Sequence, residues 1–244
     1  LTPLSCLCEV RGDLTVSTNL ALTSLAGLDL LTTVEGATTI SYNERLSSLG
    51  GLDQLAAVGG WLQITYNALD SLAGLGALAS AGDVMVQANG VDSLAGLENL
   101  GEIESLAIVD EPDILGLEGL DRLHTVNVSL LFRGLHRFKR PSGTSLISVG
   151  HIEVYEMPAM VDFGGLEGLS ELASINVIDA PALLNFSGFD GLVLLSDHIE
   201  VADADRLVSF EGLEALQQAQ WFALDDVSAL RDLTGLNSLY SLER

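Results

Sequence analysis

The pentapeptide SLAGL occurs at Ser24–Leu28, Ser71–Leu75 and Ser93–Leu97, each time inside a longer stretch in which every third residue is apolar. Recurrence at the spacing of one supersecondary unit is the signature of a solenoid, where each unit buries its apolar face only against its neighbours. The apolar residue closing the Gly-Leu step recurs at Leu28, Leu52, Leu75, Leu97, Leu120, Leu166, Phe189, Leu213 and Leu236. Adjacent steps are 22 to 24 residues, and the one wide gap, from 120 to 166, is 46, or two units of 23. A unit lacking Gly-Leu therefore lies in that gap, with Gly143 where its leucine is expected.

Each unit has two halves. One carries apolar residues at a three-residue period, as in Leu22, Leu25, Leu28, Leu31 and Val34, which suits 3₁₀ or other tight turns with one inward stripe. The other alternates: Leu14-x-Val16, Thr38-x-Ile40, Leu62-x-Ile64, and onward through Val128-x-Leu130 to Phe222-x-Leu224. Period two over three residues is a short strand with one buried face, and ten such strands predict a parallel sheet roughly 48 Å long. Three residues past the second strand position stand Asn19, Asn43, Asn67 and Asn89. A buried turn leaves backbone donors and acceptors unpaired, and an amide side chain serves both. From the fifth unit that column reads Glu111, Arg133, Met157, Ala180, Ala204 and Val227, with Pro112, Pro158 and Pro181 beside the bend, so a proline-assisted turn is expected there.

The phrase L-x-[LVI]-x-x-N, in units such as "GWLQITYNALDSLAGLGALASAG", resembles the receptor L-domain type of leucine-rich repeat. The resemblance implies a right-handed, β-helix-like solenoid of the kind that forms ligand-binding lobes of growth-factor receptors and recurs in fungal cell-wall and bacterial envelope proteins. It also implies a secreted, cell-surface or cell-envelope setting and a binding or structural role.

The fold class expected is a leucine-rich-repeat, right-handed β-helix-like solenoid. It has about ten coils, one parallel β-sheet, and 3₁₀ or irregular turns opposite. It is read as a single domain over 1–244: an N-terminal half coil (1–12), regular coils (13–126), an atypical basic coil (127–150), and regular coils with an uncapped end (151–244).

Composition narrows the function. The chain has 34 acidic and 10 basic residues among 244, a formal net charge of −24, which disfavours nucleic acid and anionic lipid as partners. No run of eighteen apolar residues exists, so no membrane insertion is expected. No G-x-S-x-G, P-loop or H-E-x-x-H is present. His151 and His198 share a column two coils apart, roughly 9.6 Å, too far to share a metal. No enzyme activity, cofactor or metal is expected. Arg11-Gly12-Asp13 leads into the first strand and reads as a turn. Cys6 and Cys8 are read either as buried thiols or as partners of something outside the chain. Asn127-Val128-Ser129 and Asn185-Phe186-Ser187 match the glycosylation sequon, with Val128 expected to be buried.

Two features point to partners. On the open sheet face, the column after the second buried position turns apolar at Val109, Leu131, Tyr155 and Ile178, and the column before the strand brings Trp61 and Trp221. A contiguous apolar stripe with aromatic anchors predicts a protein-binding or adhesion surface. The segment "RGLHRFKR" holds Arg133, Arg137, Lys139 and Arg140, a docking loop for an acidic partner or another copy unless neighbouring carboxylates absorb it. The alternative is a self-assembling structural subunit, a homo-oligomer stacking through uncapped ends.

Overall fold

Apolar residues at every third position drift around an α-helix but stay on one side of a chain that turns every three residues. Here they do the latter. A computed structural model, which describes residues 4–242, shows no α-helix among those residues; it is a parallel β-solenoid of ten coils. The inward stripe is laid down by successive tight turns. In the second coil's approach, Leu28 N donates to Leu25 O at 3.2 Å and Leu31 N to Leu28 O at 2.8 Å. The leucines so placed are fully buried, and in the later coils phenylalanine replaces them. Phe163, Phe186 and Phe210 stack with ring centroids 5.6 and 5.4 Å apart. No helix is long and apolar enough to cross a membrane among the described residues.

The ten strands are Leu14–Ser17, Thr38–Ser41, Leu62–Thr65, Val84–Gln87, Glu102–Val109, Thr125–Arg133, Ser148–Tyr155, Ser174–Ile178, His198–Ala202 and Trp221–Asp225. They form one continuous parallel sheet in chain order. Two further small sheets, not expected from the sequence, flank it. A three-stranded one joins Glu9–Val10, Thr33–Val34 and Ala57–Val58. A four-stranded one joins Glu171–Leu172, Leu194–Leu195, Gln218–Ala219 and Ser241–Leu242. In coils five to seven this second ladder fuses with the main strand, which is why those strands run to eight or nine residues.

Every strand ends the same way. The next residue is left-handed in all ten coils: Thr18, Tyr42, Tyr66, Ala88, Asp110, Gly134, Glu156, Asp179, Asp203 and Asp226. In the first nine coils its N–H still donates to the following coil, as from Tyr42 to Thr65 O at 3.1 Å and from Asp179 to Ala202 O at 3.1 Å. The expected change to a proline-assisted turn is therefore corrected: the backbone bend is constant, and only the side chain inside it changes. In the early coils that side chain is the asparagine ladder. Asn19 Nδ2 donates to Asn43 Oδ1, Asn43 Nδ2 to Asn67 Oδ1 and Asn67 Nδ2 to Asn89 Oδ1, at 3.1, 3.0 and 3.0 Å. The carboxylate of Glu111 ends the series, accepting from Asn89 Nδ2 at 3.0 Å. Beyond it the column is apolar and buried: Leu135, Met157, Ala180 and Ala204.

Coil six departs from the sequence reading in two ways. The strand carries one extra residue at Asn127–Val128, so Val126 pairs with Ile103 but Ser129 pairs with Ser105. The inward pair is then Leu130 and Phe132, not Val128 and Leu130, and Val128 is 49% exposed rather than buried. The apolar run Leu130-Leu131-Phe132 satisfies either register by alternation alone, so the bulge decides. The same shift moves Arg133 out of the ladder column and puts Leu135 there. Gly143 keeps the left-handed conformation of the Gly-Leu step, at φ +86°, and Thr144 stands in the leucine's place, pairing with Leu120. The unit has thus lost its leucine, not its glycine.

Acidic residues serve the turns as well. The glycine N–H of the Gly-Leu step donates to the carboxylate two residues on in six coils: Asp29, Asp53, Glu98, Glu167, Asp190 and Glu214, at 2.8–3.1 Å. Part of the net charge of −24 is therefore built into the coil geometry.

One inward polar group has no partner. Thr38 occupies the first inward position of its strand between Leu14 and Leu62, is fully buried, and its Oγ1 makes no hydrogen bond among the described residues. Thr38→Val removes an unsatisfied hydroxyl with little change of shape and is expected to raise stability by about 1 kcal/mol in urea denaturation.

Candidate functional site

The outward residues of the sheet form three columns, fixed by register. The expected apolar stripe is interrupted. Arg133, not Leu131, pairs between Val109 and Tyr155, while Leu131 sits in the middle column between Ala107 and Glu153. Val109 is only 7% exposed, and Tyr155 and Ile178 are half-buried, so these side chains do not make a raised exposed ridge.

The apolar surface lies instead toward the N-terminal half. Trp61, 56% exposed, stands in the first outward column, and the residues that follow it there are Asp83, Ser105 and Ser129. Three short side chains after an indole leave a hollow. Its floor is the middle column, Gln63, Met85, Ala107 and Leu131, stacked strand upon strand. The result is a shallow, mainly apolar depression of about 450 Å³ that spans coils three to six. Of the residues expected from the sequence, it brings together Trp61 and Leu131. It leaves Val109, Tyr155, Ile178 and Trp221 outside. Met85 and Ala107 were missed. The signal for them was the middle position of each alternating triplet, which is exposed by definition and turns apolar at Met85.

The other end of the face is polar. His151 Nδ1 lies 2.9 Å from Ser174 Oγ, and His198 Nε2 lies 2.8 Å from Asn176 Oδ1. Trp221 stacks on His198 with centroids 4.1 Å apart and planes 9° from parallel. Tyr155 donates its hydroxyl to Glu153 Oε2 at 3.3 Å. Burial pushes the Tyr155 hydroxyl up from its ordinary value, and the charges of Glu153 and Glu200 add to that. Ser174 separates the two histidines in register, and no group of three or more metal-ligating side chains exists among the described residues.

The basic segment is used within the chain. Arg133 pairs with Glu156 at 3.0 Å, Arg137 with Asp113 at 3.1 Å and Arg140 with Asp162 at 2.9 Å, each carboxylate on an adjacent coil. Lys139 is exposed. Phe138, buried in the core, holds the segment inside its coil. Three partly exposed ion pairs contribute little stability, but they neutralise the cations that a docking loop would offer.

The remaining motifs are structural. Asp13 Oδ1 accepts from Ala37 N at 2.9 Å and Gly12 O from Gly36 N at 3.1 Å, so Arg11-Gly12-Asp13 stitches two coils together. Cys6 and Cys8 are both free and exposed, which overturns the reading of them as buried thiols. Asn127 is exposed and donates to Glu102 Oε1 at 3.1 Å.

No known protein family matches the chain, and no curated protein is significantly similar to it in sequence.

Proposed function

We propose that the chain is a non-enzymatic binding module of a secreted, cell-surface or cell-envelope protein, and that it engages a protein partner through the open sheet face. The observation that carries this reading is the apolar depression beside Trp61. An exposed indole next to a concave apolar floor on a rigid stacked sheet is the form that interface anchors take. The L-x-[LVI]-x-x-N phrase and its hydrogen-bonded asparagine ladder support a leucine-rich-repeat solenoid of the receptor L-domain type, and with it the extracellular setting. The absence of convergent catalytic groups in the depression favours binding over chemistry.

The test is capture with variants on the immobilised protein. Trp61→Asp and Leu131→Asp are expected to lose the proteins that wild type retains. Leu115→Asp, an exposed position outside the depression, is expected to keep them. Retention unchanged by the first two substitutions overturns the reading.

A further inference from the structure

The depression is apolar, but its surroundings are not neutral. Asp83 forms part of its wall one coil beyond Trp61, and at its far end Glu153 is the register neighbour of Leu131. Glu200 and Asp225 follow on the same face. The one lysine or arginine that the register places among the outward residues of the described strands, Arg133, is held by Glu156. The chain as a whole carries −24. An apolar trough with one carboxylate in its wall and another beyond its far end, and with no free guanidinium or ammonium among the outward residues of the described strands to oppose them, selects its occupant by charge as well as by shape.

We propose that the partner segment is basic: an extended stretch with an aliphatic or aromatic anchor for the Trp61–Leu131 trough, flanked on each side by lysine or arginine that reach Asp83 and Glu153. The proposal rests on the open-face reading given above. The dimensions agree with it. Asp83 and Glu153 lie three strands apart, roughly 14 Å, and an extended chain covers roughly 3.4 Å per residue with alternate side chains on one face, so two cationic residues four positions apart, with the anchor midway between them, bridge the carboxylates. The exposed indole face of Trp61 also accepts a cation directly.

The probe is a fluorescein-labelled peptide, Gly-Lys-Ser-Leu-Ser-Lys-Gly, compared by anisotropy with Gly-Gln-Ser-Leu-Ser-Gln-Gly. At about 20 mM salt the lysine peptide is expected to bind about tenfold tighter, the ratio shrinking at about 500 mM. The paired substitution Asp83→Asn with Glu153→Gln is expected to erase the ratio and leave the glutamine peptide unaffected. Equal binding of the two peptides, a ratio insensitive to the paired substitution, or no binding of the lysine peptide at about 1 mM overturns the proposal. The two readings fail separately. If Trp61→Asp and Leu131→Asp leave both peptides bound, the face itself is wrong. If they abolish binding while the charge preference is absent, only the basic partner is wrong.

Discussion

Gly188→Ala is expected to destabilise the solenoid by about 4 kcal/mol, while Gly76→Ala is expected to be neutral or stabilising by up to about 1 kcal/mol. Gly188 opens the Gly-Phe step of its coil at φ +109°, where a side chain is strained whatever space surrounds it. Space is also lacking. A Cβ there would lie 2.1 Å from the carbonyl oxygen of Phe163 and 2.2 Å from its carbon, both backbone atoms of the coil below. That coil cannot yield, because Phe163 is locked between Phe186 and Phe189, with centroids 5.6 and 4.6 Å away. Left-handed strain of about 1–2 kcal/mol and overpacking of about 1–3 kcal/mol then add. Gly76 has no positive φ, and nothing lies within 4 Å of its missing Cβ. The pair separates the steric argument from loss of glycine as such, and urea midpoints measure both. Because coils contact only their neighbours, amide exchange around Phe163 and Gly188 is expected to accelerate before that near Leu52.

The coil count and the inward stripe were legible because each is written once per turn in the sequence, and ten repetitions average out local ambiguity. Legibility failed where a single coil differs. In coil six, Val126, Val128, Leu130 and Phe132 are all apolar at even positions, and the residue inserted by the bulge leaves no mark in that pattern. Misplacing Leu131 by one column then displaced the predicted stripe, since Arg133 takes the position the stripe needed. The bend was misread for a different reason. Pro112, Pro158 and Pro181 drew attention to turn chemistry, whereas the conformation is set two residues earlier in each of these turns, at Asp110, Glu156 and Asp179, and it is shared by residues as unlike as Tyr42, Ala88 and Asp203. Aspartate or glycine fills five of the ten positions, but Thr18, Tyr42, Tyr66, Ala88 and Glu156 leave the column unmarked, and there the inter-coil hydrogen bond of the N–H helps to offset the left-handed cost of about 1–2 kcal/mol. The site was half legible. Trp61 stands out in any reading, but the hollow beside it is made by the shortness of Ser105 and Ser129, and short side chains carry no pattern of their own.

Glu111→Leu is expected to cost about 4 kcal/mol, and Glu111→Gln roughly half as much. The carboxylate is fully buried at the point where the asparagine ladder meets the apolar column. Its Oε1 accepts from Asn89 N and Asn89 Nδ2 at 2.8 and 3.0 Å, and its Oε2 from Gly90 N and Val91 N at 2.8 and 3.1 Å. Leucine removes the acceptor from all four donors; Asn89 Nδ2 keeps the Ile64 and Gln87 carbonyls, but the three backbone N–H groups are left without one, at about 1–3 kcal/mol each less whatever water recovers near exposed Gly90. Glutamine keeps one oxygen for two of them and turns an NH₂ toward the others. The acid has a further signature. Burial pushes the Glu111 carboxyl above its ordinary value near 4.5, against the pull of the four N–H donors. Between that value and the raised one the folded chain holds a proton that the unfolded chain has released. Its contribution to stability is therefore full below the ordinary value and declines as pH rises through the folded one. Urea titrations of wild type and Glu111→Gln across about pH 4 to 7 read this directly: the stability difference in favour of wild type is expected to shrink as pH rises. A difference that grows instead would mean that the four donors outweigh burial and that the ladder ends on a carboxylate held in its charged form.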